Sequence, residues 1–176
     1  MAMNIDSSLD LALLGLTLRR ATDLPSLCRS AQALMTPWAT PTLDVIEGRA
    51  IRLAEHGALG ITTVTVRASP QGRRTFERLM QQDMPEHDHA LAMAVEAVKL
   101  ACLDLLEPPA RMVVVADLIA ARQRCQLRLS ARLAGSEDQP SAVRRGLRHQ
   151  LRLLESGLEV LQHHLLPGRD GVLAPM

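Results

Sequence analysis

The chain has almost no aromatic residues: one Trp, one Phe and no Tyr in 176 residues. A core built around rings is excluded, and a stacked pocket for a flat ligand is hard to build. Trp38 is set in a Pro-rich turn, where packing between subdomains is its default role. Cysteine is scarce as well. Cys28, Cys102 and Cys125 are far apart, and an odd count without spacing motifs excludes a disulfide framework. Reduced, buried thiols in a cytoplasmic protein are expected instead. No apolar run approaches the ~18 residues that a membrane span needs. The start of the chain lacks the basic segment and cleavage site of a signal peptide. With a net charge of +1, the chain as a whole is no polycation. Any nucleic-acid footprint must come from where its arginines lie.

Chemistry-bearing motifs are missing too. There is no nucleophile elbow, P-loop or GxGxxG, so an enzyme is not expected. Cys28 lies in an apolar helical phase and reads as inert. His87-Asp88-His89 has only part of a ligand spacing, and His163-His164 closes a helix where imidazoles complement the C-terminal dipole. No metal site and no cofactor are expected.

What is abundant is Leu, Ala, Val, Ile and Met, which with Cys and the two aromatics make 47% of the chain. Leu/Ala-rich segments favour helix. "SSLDLALLGLTLRR" starts with a Ser/Asp cap signal and places Leu9, Leu13 and Leu16 on one face. "TDLPSLCRSAQALM" carries Leu24, Leu27, Cys28, Ala31 and Leu34 at helical spacing. "TLDVIEGRAIRLAEHG" aligns Leu43, Ile46, Ala50 and Leu53, with Gly57 as its C-terminal glycine. The stretch "GITTVTV" is different, being rich in β-branched residues. It contains no Gly, Asn or Asp between its ends to make a hairpin turn. Two pairings stay open: a short hairpin, or a strand paired outside the run. Ser69-Pro70 then caps another helix. Helix, helix, helix, short β element, helix is the order of a winged helix-turn-helix, predicted over residues 1–82.

From residue 83 to 176 long helices are predicted, one ending at Pro108-Pro109 and the next running from about 110 to 133. The last helix spaces Leu147, Leu151, Leu154, Leu158, Leu161 and Leu165 as a heptad seam. An intramolecular bundle and a seam against a second chain both suit that pattern. The assignment made is a dimer interface, giving a mainly α protein with a C-terminal antiparallel helical dimerisation arm.

Three stretches carry a family resemblance: "LALLGL" (11–16), "RLAEHGAL" (52–59) and "VRASPQGRRTF" (66–76). With the order of elements, they resemble the PadR family of bacterial transcription regulators, and within it the AphA-like branch. The resemblance implies a dimeric winged-helix regulator of transcription, a repressor by preference, binding double-stranded DNA. It would act in the bacterial cytoplasm, with an effector left unassigned. The rival expectation is a degenerate winged helix serving as a protein-interaction module.

The residues expected at DNA are Thr40 and Thr42 before the third helix, where hydroxyls and the helix N-terminus suit phosphates. Arg49 and Arg52 on that helix, and Arg67, Arg73 and Arg74 on and after the β element, complete the set. Asp44 and Glu47 sit among them and repel a duplex unless paired.

Overall fold

The structure, a computed structural model, describes residues 2–36, 38–85 and 88–165, without the side chains of residues 160 and 163–165. The chain forms two compact units, Met1–Arg111 and Met112–Met176.

In the first unit, α1 (Ile5–Arg19) is the centre. Leu9, Leu11, Ala12, Leu13 and Leu14 are all fully buried, so it is covered nearly all round rather than along one stripe. Its neighbours are α2 (Leu24–Met35), α3 (Leu43–Glu55), α4 (Pro70–Met80) and α5 (His89–Ala101). Capping explains where these helices start. The side chains of Asn4, Asp23, Ser69 and Asp88 accept hydrogen bonds from the first-turn amides of α1, α2, α4 and α5. The C-terminus of α3 is a Schellman motif: Gly57, at φ 72°, donates to Ala54 O and Ala58 donates to Leu53 O, both at 2.8 Å.

The β run resolves into both pairings that its sequence allows. β1 (Leu59–Ile61) and β2 (Val66–Ala68) form an antiparallel hairpin in the register Leu59–Ala68, Gly60–Arg67, Ile61–Val66. Val66 also pairs with Thr22, in the linker between α1 and α2, through reciprocal backbone bonds of 2.6 and 3.2 Å. The turn needs no glycine. Thr62 N donates to Thr65 O at 2.8 Å, and Thr62 Oγ1 accepts from Thr65 N at 2.9 Å. A hydroxyl thereby does the work of a left-handed residue, as in other Ser/Thr turns.

Two sequence boundaries move. The predicted break at residue 82 falls inside the first unit, because α5 packs on α1 and α2. Pro108 and Pro109 do not end a helix but begin α6 (Pro108–Ala134), a position where a missing amide proton costs nothing.

The second unit is an antiparallel hairpin of α6 and α7 (Ser141–Leu165). Leu147, Leu151 and Leu154 of α7 pack with Cys125, Leu129 and Leu133 of α6. Leu158 and Leu161 are buried as well. The leucine seam, assigned from sequence to a dimer interface, is thus covered over Leu147–Leu154 by the chain's own α6. The physical cause is the short polar connection between the helices, which folds α7 straight back. The side chain of Leu165, also assigned to that interface, lies outside the described residues, as do His87 and the side chains of His163 and His164.

Two glycines stand in open helical positions. A Cβ at Gly48 or Gly146 meets nothing within 4 Å. Gly48→Ala and Gly146→Ala are each expected to raise stability by about 0.5–1 kcal/mol, the usual gain in a helix interior. Thermal denaturation reads this directly.

Candidate nucleic-acid interface

α3 buries Ile46, Ala50 and Leu53 and turns Asp44, Glu47, Ile51, Arg52 and Glu55 to solvent. The displayed face therefore carries three carboxylates and one guanidinium. The Thr42 hydroxyl bonds Asp44 and, with backbone amides, holds that carboxyl below the usual carboxylate range, so it is charged at neutral pH.

Arg49 is turned inward. Its Nε donates to Asp10 Oδ1 at 2.9 Å and its Nη1 to Asp6 Oδ2 at 3.1 Å, and its side chain is only 16% exposed. Burial raises the Asp10 carboxyl, against the lowering effect of Arg49, while the bond to Asp10 raises the guanidinium. The arginine that the sequence reading places among the DNA contacts thus ties α3 to α1. Its acidic partners stand one helical turn apart at residues 6 and 10, a spacing that the sequence displays but does not direct at residue 49. Arg49→Ala leaves a largely buried carboxylate without its partner and is expected to cost about 2–3 kcal/mol. Urea denaturation measures the loss.

The other cations gather at one corner. Ser69 Oγ donates to Gly57 O at 2.6 Å and Gln71 Nε2 to His56 O at 2.8 Å, which fastens the start of α4 to the end of α3. Arg52 lies in the last turn of α3, Arg67 on β2, and Arg73 and Arg74 in the first turns of α4, all exposed. Arg73 has a loose partner, Glu77, at 3.7 Å in solvent, which contributes little. Thr40 and Thr42 stand at the opposite end of α3, about 20 Å away by helix rise. The hairpin tip, Thr62 to Thr65, carries no charge, and Val64 at 72% exposure is its most prominent side chain.

No protein-family model matches the sequence, and no curated protein is similar to it. Among solved structures, PadR of Bacillus subtilis is similar over 94% of this chain and 97% of that one, at 13% identity and a TM-score of 0.43.

Other chemistry is sparse. Among the described residues no three His, Cys, Asp or Glu side chains converge. Burial pushes the Cys28 thiol up and the Cys102 thiol to about 11, so both are protonated and unreactive at neutral pH. A groove of about 600 Å³ runs past Gly15, Leu16, Leu34 and Cys102. Arg19 at its wall is already bound to Ala101 O and Asp104. No helix among the described residues is long and apolar enough to cross a membrane.

Proposed function

We propose that the protein is a PadR-like regulator of transcription, without catalytic activity, that binds duplex DNA through its first unit. The observation that carries this reading is the corner where the end of α3, β2 and the start of α4 meet with Arg52, Arg67, Arg73 and Arg74 exposed. Thr40 adds a hydroxyl at the far end of α3, and Arg49 drops out of the set. Affinity comes from phosphates, because the three carboxylates of α3 leave little room for base readout. The protein acts as a cytoplasmic homodimer, which suits a two-fold operator whose half-sites are about 34 Å apart. Since the leucine seam is used within the chain, the contact between copies falls on the outer side of α6. Met112, Val113 and Leu127 are exposed there by 45%, 54% and 71%. Occupying an operator in this way blocks polymerase, so repression is the expected outcome.

Salt titration of binding to duplex DNA tests the reading. Each phosphate contact adds about 0.9 to the slope of log K against log salt. Changing Arg73 and Arg74 to Ala is expected to flatten that slope by about two units per protomer. An unchanged slope removes this corner from the interface.

A second reading, a protein-interaction module, is favoured by the acidic face of α3 and by Leu43, Val45 and Ile51, each about 45% exposed. Glu47→Gln separates the two. It strengthens non-specific duplex binding if α3 lies at DNA and leaves it untouched if α3 faces a protein.

A further inference from the structure

The positive charge of the chain is concentrated away from the proposed interface. Between Asp117 and Glu155 there are eight arginines and two acidic residues, Glu137 and Asp138, both in the turn between α6 and α7. Arg145, Arg148 and Arg152 follow one another at i, i+3 and i+7, so they share one face of α7. That face points away from the buried Leu147, Leu151 and Leu154. On α6, Arg128 and Arg132 are exposed one turn apart. Among the described residues none of these five guanidiniums has a carboxylate within 4 Å. Five unneutralised cations on a two-helix unit repel one another, and a polyanion relieves that repulsion.

We propose that the α6–α7 hairpin is a second contact for duplex DNA, one that grips the phosphate backbone without regard to sequence. The proposal takes its partner from the function proposed above. Arg145 to Arg152 spans about 10 Å of helix, which matches about three phosphates along one strand of B-DNA. A duplex suits this surface better than single strands. Both aromatic residues, Trp38 and Phe76, lie in the first unit, so the described side chains of the hairpin offer one ring, the imidazole of His149, and no Trp, Tyr or Phe on which successive bases can stack. A lipid surface suits it less, because α7 spends its leucine face on α6, and the large apolar side chains it still exposes, Val143 and Leu153, are too few to carry it into a bilayer.

The test uses the full chain, a labelled random 20-base-pair duplex and a salt series read by anisotropy. Two variants are compared with the parent: Arg145, Arg148 and Arg152 all to Gln, and Arg67, Arg73 and Arg74 all to Gln. Glutamine keeps helix propensity, so circular dichroism should match the parent. The α7 variant is expected to flatten the salt slope by about two to three units per protomer. Binding of dT20 by the parent is expected to be weaker than binding of the duplex. If only the first-unit variant flattens the slope, the hairpin proposal is overturned and the function proposed above stands. If only the α7 variant does, the hairpin holds and the first-unit interface falls. If neither does, or the parent ignores the duplex, both fail. Retained duplex binding by the α7 variant, with loss of binding to vesicles of 30% phosphatidylserine in phosphatidylcholine, overturns the proposal in favour of a membrane.

Discussion

Gly72→Ala is expected to destabilise the first unit by about 3 kcal/mol, the upper end of what overpacking by one methyl costs. A Cβ at residue 72 falls 2.1 Å from the carbonyl oxygen of Ala58 and 3.2 Å from Leu14 Cδ2. The first obstacle is backbone, and it is backbone that is already committed. Ser69 N donates to that same Ala58 oxygen at 3.0 Å, and the Schellman turn at Gly57 fixes the carbonyl from the other side. Neither neighbour gives way like the end of a flexible chain. Gly72 itself donates to Ser69 Oγ at 3.0 Å, so shifting it also loosens the cap of α4. For a chain of this size the melting point should fall by roughly 6–12 °C. The chain has a single Trp, at position 38, so intrinsic fluorescence reports on the first unit alone. A variant that melts with the parent by that probe would show that α4 does not need its close approach to residue 58.

Leu147→Asp is expected to melt the α6–α7 hairpin while leaving the fluorescence transition of Trp38 in place. Leu147 is 7% exposed and sits with Leu129 and Leu154 in a buried cluster that joins the two helices, with Cys125, Leu133 and Leu151 around it. These neighbours are all apolar side chains. A carboxylate in that setting either stays charged at a cost of several kcal/mol or takes up a proton and still forfeits the packing of the leucine. The expected signature is a fall in helical ellipticity, with new proteolytic cuts confined to residues 112–165. A loss of Trp38 signal at the same midpoint would mean that the two units melt as one.

The helices were legible because their signals are local. Asp23, Ser69 and Gly57 announce ends through their own side chains or their own backbone freedom, and the structure uses each as the sequence suggests. Gly72 could be read as part of a helix start but not as a point of close approach, since Ala58 is remote along the chain. The Thr22–Val66 bridge left no pattern at all, because one paired residue has no periodicity. Leucine spacing in α7 specified a buried face and not what covers it. Within the candidate site, the charges of α3 were visible, but the direction of Arg49 was set by Asp6 and Asp10 on another helix. The arginines of the arm are in plain view in the sequence, but the leucines between them carry the periodic signal, and charge on a helix face does not by itself name a partner.

The pairing of Thr22 with Val66 also orders events in time. α1 and α2 can form within microseconds from local contacts alone. The linker between them leaves the backbone donor and acceptor of Thr22 to water until α3 and the whole hairpin have been laid down behind it. Closing that long loop carries an entropic cost that local helices escape. On the ribosome, the first helices therefore emerge into a waiting period, and α1's leucines stay partly uncovered beyond it, until α4 and α5 have been made.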